Sequence, residues 1–358
     1  MEKNINHSKE ILTVTIAIPV LNEEKYIERV LSLFSDNKED NIIQICVADG
    51  GSVDRTREIV RQYSEKDERI ILVENPEKFQ SFGLNRILEI AEGDLFLRAD
   101  GHCIYAPDYV KKSVEAIKKS GAVNVGGTQR YIAKNRVQSG VALSTKNFFG
   151  NGGAKYMDET FEGYADTVFL GCFKTDVLKK LGGFSEVNRT NEDAEINLRI
   201  RKEVEGKIYV STDIKTWYYP RSSLITLLKQ YFRYGRGRQI TNQIHEGDIP
   251  YRSKAPFYFV SFMLSFCVLD FILIDKQLGA FYILLAITLL ILFESIRFSF
   301  EKREYFENEI WSGAKDRIPH PLTNSIFCFM SLVVMNAGHF LGYGFQLIKT
   351  AFLGRINW

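Results

Sequence analysis

Asp94-Leu95-Phe96-Leu97-Arg98-Ala99-Asp100-Gly101-His102 is a short apolar run that stops in a carboxylate, a glycine and an imidazole. In a parallel α/β sheet, ligands gather at the C-terminal ends of the strands. A strand ending in an oxygen donor and a nitrogen donor two residues apart offers both to one divalent cation, and the glycine between them lets a phosphate approach the backbone. The same residues also read as a plain Asp-Gly turn with His102 on the surface. The rest of the chain decides between the two.

Upstream, β-rich runs over 12–20, 41–48 and 70–73 alternate with helix-forming stretches over 22–35, 54–64 and 81–91, and a further helix is expected over 107–119. Short apolar strands alternating with helices predict a parallel, doubly wound sheet. Beyond Gly121 the pattern changes. Strands are expected over 123–128 and 167–173 with a glycine-rich loop at 150–153 between them, then a helix over 193–204 and short strands over 207–210 and 214–219.

Four acidic sites fall at the ends of these elements. Pro19-Val20-Leu21-Asn22-Glu23 closes the first strand, and Asp49-Gly50-Gly51-Ser52-Val53-Asp54 follows the second. Asp100-Gly101-His102 follows the fourth, and Asn191-Glu192-Asp193 opens a helix. Each has a structural reading. Asn22 and Asp54 make good helix N-caps, and Glu192-Asp193 suit the positive end of a helix dipole. Three such sites behind successive strands of one parallel sheet, however, converge on one crevice. Several carboxylates and one imidazole there suit a nucleotide diphosphate held with Mg²⁺ or Mn²⁺, the Asp/His pair favouring Mn²⁺. A separate carboxylate is then left to act as a general base on an acceptor hydroxyl.

The chain has 358 residues and a net charge of +2, which points away from nucleic acid as a partner. Residues 1–250 read as a charged α/β protein, whereas three apolar runs follow, over 257–274, 278–295 and 325–348. Each is close to the roughly 20 helical residues that span a bilayer. The first two are joined by Asp275-Lys276-Gln277, which suggests a helical hairpin that either spans or re-enters the membrane. Asp270 interrupts the first run, and a partner on a neighbouring helix, such as His339, or a shallower placement would account for it. Met1–Glu10 is polar, without a secretion-type apolar segment. Arg252 and Lys254 precede the first run, and Arg297, Lys302, Arg303, Lys315 and Arg317 lie between the second and third, the positive-inside pattern of a multi-pass protein of the cell membrane with its catalytic part in the cytoplasm. Five scattered cysteines without metal-type spacing read as reduced thiols. The expected organisation is a catalytic domain over 1–220, an amphipathic interface helix and linker over 221–256, and a membrane region over 257–358.

The ordered motifs Pro19-Val20-Leu21-Asn22-Glu23-Glu24, Val47-Ala48-Asp49-Gly50-Gly51-Ser52-Val53-Asp54-Arg55-Thr56, Asp100-Gly101-His102 and Asn191-Glu192-Asp193 resemble those of family 2 glycosyltransferases of the GT-A fold, in the branch of succinoglycan biosynthesis. Leu170-Gly171-Cys172-Phe173 and Gln230-Tyr231-Phe232-Arg233-Tyr234-Gly235-Arg236-Gly237-Arg238 are similar to that branch too. The resemblance covers roughly residues 13–240 and implies a Rossmann-like GT-A domain followed by a helical membrane region. It implies that Pro19, Asn22, Glu23, Asp49, Gly50, Ser52, Asp54, Asn85, Asp100 and Arg233 bind the nucleotide-sugar, with Asp49 at the uracil or ribose and Arg233 near the diphosphate. Asp100 and His102 stand in for the family's Asp-x-Asp metal motif, with Mn²⁺ or Mg²⁺ as cofactor. Asp193 is the implied catalytic base, with Glu192 beside it shaping the acceptor pocket. Gln230, Phe232, Tyr234 and Arg236 read either as part of a basic, aromatic acceptor lip at the membrane surface or as ordinary positive-inside anchoring, Tyr234 standing where the family commonly has tryptophan.

The implied reaction is a single displacement with inversion: a hexose, glucose from UDP-glucose, passes to a lipid-linked saccharide in polysaccharide or glycan assembly. Two other functions fit the same residues. A polyprenyl-phosphate sugar transferase would need no base at Asp193, and a membrane-anchored sugar-nucleotide-binding protein would show no turnover.

Overall fold

The computed structural model describes residues 11–37, 41–247, 249–273, 279–354 and Trp358. The Met1–Glu10 segment and the Asp275-Lys276-Gln277 connection lie outside them. The chain divides into two compact units. One comprises the described residues of Met1–Thr128, Thr160–Glu186 and Glu192–Thr216, the other those of Gln129–Glu159, Val187–Asn191 and Trp217–Trp358.

In unit one the strands are β1 (Val14–Val20), β2 (Ile42–Asp49), β3 (Ile70–Glu74), β4 (Leu95–Arg98), β5 (Ile104–Tyr105), β6 (Asn124–Tyr131), β7 (Gly163–Tyr164), β8 (Phe169–Lys174) and β9 (Ile208–Tyr218), of which β6 and β9 end a few residues into the other unit. Their order in the sheet is β3-β2-β1-β4-β8-β6-β9-β5, with β7 on β9. The first four run parallel, as the alternating pattern predicts. β8 enters antiparallel to β4 and β6 antiparallel to β8, so the sheet is mixed rather than parallel throughout. The change follows the point where the sequence stops alternating strand with helix, because an antiparallel neighbour needs no crossover helix. The two short strands expected over 207–219 are one continuous strand, β9.

β1, β2 and β4 are buried at nearly every position, which explains their unbroken apolar runs. The helices Ile27–Asp36, Thr56–Ser64 and Gln80–Ile90 place Ile27, Leu31, Ile59, Val60, Leu84 and Ile87 in the core. The register pairs Val20 with Asp49 and Ala17 with Arg98, so the C-terminal ends of β1, β2 and β4 share one edge.

In unit two, the Arg136–Lys146 helix lies where the sequence reading had only connecting residues before the glycine-rich loop. Its N-cap is Asn135, whose Oδ1 accepts from the Gln138 amide at 3.0 Å. Residues 138–145 are all buried, so the helix shows no one-sided apolar stripe for periodicity to detect. The Leu224–Ile244 helix packs along Pro321–Leu353. Gly235 lies against the His339 carbonyl and Gly342 against that of Phe232, and a side chain at either glycine would collide with backbone. Close helix–helix contact through small residues is the packing found between helices in lipid. The helix expected as an amphipathic element at the interface packs on the last apolar helix.

The apolar helices are Ala255–Leu273, Gly279–Glu301 and Pro321–Leu353. The second and third are long and apolar enough to cross a membrane, whereas the apolar part of the first, Ala255–Asp270, is shorter. Asp270 does not pair with His339. Its carboxylate accepts from the Ala280 amide at 3.1 Å and so caps the start of the Gly279–Glu301 helix, while the His339 ring stacks on Tyr343. A cap satisfies an otherwise orphaned amide and favours a negative charge at that helix end.

Candidate active site

The loops after β1 and β2 are tied together by the polar residues the sequence singles out. Asn22, at φ 56°, donates its amide to Ser52 Oγ at 2.8 Å and accepts from the Val53 amide at 2.9 Å. The Glu23 amide donates to Thr56 Oγ1 at 2.7 Å, the Glu24 amide to Asp54 Oδ2 at 3.1 Å, and the Arg55 amide returns to Glu24 Oε2 at 3.1 Å. Asp49 is fully buried. Its carboxylate accepts from the Gly51 and Ser52 amides and from Arg57 Nη1 at 2.8 Å, and Arg57 also pairs with Glu74. Asn22, Ser52, Asp54 and Asp49 thus shape the loops through their side chains. Gly50 sits in close quarters, since a Cβ there would lie 3.3 Å from the Lys78 Cα and 3.4 Å from the Val20 carbonyl. Pro19 lies half-buried within β1. Asn85 clamps its helix to the 183–186 loop: its Nδ2 donates to the Phe184 carbonyl and Glu186 Oε1, each at 2.9 Å, and its Oδ1 accepts from the Phe184 amide.

The end of β4 is different. Tyr105 OH donates to the Asp100 carbonyl at 3.0 Å and accepts from the Asp100 amide at 2.6 Å, which fixes the backbone of the turn. The Asp100 carboxylate accepts from Gln80 Nε2 at 2.8 Å. Gly101 does not open space for a phosphate. A Cβ there would lie 2.9 Å from Val20 Cγ1 and 3.3 Å from Glu23 Cγ, so glycine is needed because the first loop packs over it. His102 Nδ1 meets Glu23 Oε1 at 2.8 Å. A carboxylate at Nδ1 orients the ring, and an imidazole so held in its neutral form presents its lone pair at Nε2. Among the described residues no three His, Cys, Asp or Glu side chains converge as a cation cage. Asp100 and His102 supply two donors at most, so a cation held here would take its remaining ligands from phosphate oxygens and water, as Mg²⁺ and Mn²⁺ do on nucleotide substrates.

Beside them lies a residue that the sequence reading passed over. Arg98, the last residue of β4, is 3 % exposed. Its guanidinium contacts Asp193, lies 3.2 Å from Glu192 Oε1 and reaches Asp100 Oδ1 at 3.5 Å. One signal was available: an arginine inside a strand otherwise buried at every position must be paired. Glu192 and Asp193 start the Glu192–Glu203 helix, directly after Asn191 at φ 71°. Asp193 keeps 29 % of its side-chain surface exposed. Burial raises its carboxyl above the ordinary carboxylate range; Arg98 opposes that shift and the charges of Glu192 and Asp100 add to it. A partly exposed carboxylate with a raised pKa is suited to taking a proton near neutral pH.

Gln230, Phe232, Arg233, Tyr234 and Arg236 lie on the Leu224–Ile244 helix of unit two. Arg233 and Tyr234 are exposed, and Gln230 Nε2 donates to Tyr234 OH at 2.9 Å. Phe232 and Arg236 turn the other way. Phe232 packs on Phe345, and Arg236 lies over the rings of Phe345 and Trp358, its Nε donating to Gln346 Oε1 at 3.1 Å.

A four-stranded parallel half, an antiparallel continuation and acidic strand ends define the GT-A class of nucleotide-sugar transferases. Residues 15–178 match the Glycosyl transferase family 2 family. The succinoglycan biosynthesis protein ExoA of Rhizobium meliloti is 34% identical over 236 residues, 64% of this chain and 71% of that protein. The dolichyl N-acetyl-alpha-D-glucosaminyl phosphate 3-beta-D-2,3-diacetamido-2,3-dideoxy-beta-D-glucuronosyltransferase of Methanococcus voltae is 28% identical over 265 residues, 71% of this chain and 81% of that one. The fold is shared with the mannosyltransferase PcManGT of Pyrobaculum calidifontis in complex with GDP-Man and Mn²⁺, at a TM-score of 0.56 and 17% identity, over 92% of this chain and 88% of that one. The chain belongs to glycosyltransferase family 2 and is a glycosyltransferase.

Proposed function

We propose that this glycosyltransferase is a membrane-bound inverting enzyme that moves a hexose, glucose from UDP-glucose, to a lipid-linked saccharide in the assembly of an extracellular or capsular polysaccharide. The observation that carries the reading is Asp193: a partly exposed carboxylate at a helix start, in the same unit as the strand-end carboxylates Asp49 and Asp100. Asp193 takes the proton of the acceptor hydroxyl as its oxygen bonds to the anomeric carbon. The bond from that carbon to the diphosphate breaks on the opposite face, and the electron pair leaves with the nucleotide. Glu192 borders the acceptor. Glu23 and the interlocked loops around Asn22, Gly50, Ser52 and Asp54, shaped by the buried Asp49, receive the nucleoside. Asp100 and His102 would hold Mn²⁺ or Mg²⁺, which would supply positive charge to the leaving diphosphate.

The relatives support the parts. One belongs to succinoglycan biosynthesis, and the name of another specifies a dolichyl-linked sugar phosphate. The protein sharing the fold holds GDP-Man and Mn²⁺. The helices Gly279–Glu301 and Pro321–Leu353 are long and apolar enough to cross a membrane, which supports the membrane part of the reading; the catalytic unit is then on the cytoplasmic side, following the basic residues that flank the apolar runs.

The test incubates the purified full chain with a panel of sugar nucleotides and membrane-extracted lipid acceptors, with and without Mn²⁺. The expected result is cation-stimulated consumption of UDP-glucose and a lipid-linked product with inverted anomeric configuration by NMR. A retained configuration, or transfer only to a bare lipid phosphate, overturns the reading.

A further inference from the structure

We propose that Arg98 is a positioning residue for transfer: its buried guanidinium ties Asp193 and Glu192 at the helix start to Asp100 at the strand end, and a divalent ion must compete with it for Asp100. The inference rests on the reading of Asp193 and Asp100 given above.

The geometry carries it. Arg98 sits on a central strand, in register with Ala17 of β1, so its backbone cannot shift without disturbing the sheet. Its side chain is almost wholly buried and meets three carboxylates at once. Lysine, a point charge, has no fork with which to do so. The Nε has no hydrogen-bond partner among the described residues, so the head group is held by the carboxylates alone. A buried arginine kept only for stability would be better replaced by an apolar residue of similar volume. Here it stands where the two halves of the chemistry meet. Asp100 belongs to the donor end and Asp193 to the acceptor end, and both are referred to one rigid strand through the same cation. Three carboxylates around one guanidinium also leave surplus negative charge, which a second cation reduces. A cation drawn to Asp100 loosens one arm of the tie and leaves Arg98 to Glu192 and Asp193.

The experiment uses the full-length protein in detergent and two variants, Arg98→Met and Arg98→Lys. Mn²⁺ binding is titrated alone, by calorimetry or by the loss of its free EPR signal. Transfer is measured separately as kcat and as KM for donor and acceptor. For Arg98→Met the expected result is a fall in kcat of about a hundredfold with donor KM within about threefold, as a misplaced base produces. Mn²⁺ should bind about tenfold more tightly, because a competing positive charge has gone. A structural role alone would weaken both. Arg98→Met with kcat within threefold of the parent, or with unchanged or weaker Mn²⁺ binding, overturns the proposal. If Arg98→Met does not fold, Arg98→Lys decides: at least a tenfold fall in kcat is expected, and an unchanged kcat overturns it. If the parent protein turns over no donor, the reading of transfer fails, while the Mn²⁺ titration still reports whether Arg98 contests Asp100.

Discussion

The two units differ in what they turn outward. In unit one, β1, β2 and β4 bury Val14, Ile16, Ile18, Ile45, Val47, Leu95 and Leu97, and the chemistry-bearing groups gather at the strand ends. In unit two, the Pro321–Leu353 helix buries Asn324, Ser325, Ser331, His339 and Gln346 and turns Leu322, Ile326, Val333, Leu341, Phe345 and Ile348 outward. A face so apolar is costly in water, at roughly 25 cal/mol for each Å², and costs nothing comparable in hydrocarbon. The contrast teaches that one chain follows two solvent rules: water around the catalytic unit and, on the reading proposed above, lipid around the helices.

The largest effect that can break this comparison lies in unit one. Asp193→Asn should lower transfer by about a thousandfold, within the range for removing a general base, while nucleotide affinity measured by calorimetry stays within about threefold. An equal loss of affinity would show that Asp193 belongs to the donor site instead. In unit two, Val333→Asp places a charge on an outward side chain that is 47% exposed. In lipid it should cost about 2.5–3.5 kcal/mol and deplete the protein from membranes. In water the same change would be nearly neutral, and normal membrane fractionation of the variant would discard the two-solvent picture.

The third prediction sharpens the site by pH. The base acts as a carboxylate, so protonation silences it, and kcat should fall about tenfold for each pH unit below its pKa. Because the Asp193 pKa is raised by burial, with Glu192 and Asp100 adding to the shift against Arg98, this acid limb should lie above the range of ordinary carboxylates. Glu192→Gln removes one of the raising charges and should move the limb to lower pH; a limb that does not move would show that Asp193 does not set it. The smallest effect belongs to the helix cap in unit two. Asp270→Ala should lower stability by about 1 kcal/mol, the usual worth of an N-cap, seen as a modest shift of the thermal midpoint in detergent.

Much of unit one was legible in the sequence. Strand–helix alternation located β1 to β4 within a few residues, because strands buried on both faces must read as continuous apolar runs. The ordered motifs fixed the family. Other features were hidden. The Arg136–Lys146 helix is buried nearly all round, so it has no polar face to set a period. The Leu224–Ile244 helix has charged residues spread along it and still packs closely, because Gly235, Gly338 and Gly342 let backbones meet. Asp270 reads as a charge in want of a partner, and its partner is a backbone amide that no side-chain pattern encodes.

The sequence by itself determined the parallel half-sheet, the family and the set of acidic residues available for chemistry, because periodicity and local spacing carry that information along the chain. Only the tertiary structure decided how those residues are employed. It committed Asn22, Ser52 and Asp54 to binding the first two loops together, and Asp49 to holding its own turn and Arg57. It filled the space over Gly101 with Val20 and Glu23, and it brought Arg98 to Asp100, Glu192 and Asp193. Arg98 and Asp193 are 95 positions apart. The attraction between their charges depends on distance and burial, neither of which exists until the sheet has formed.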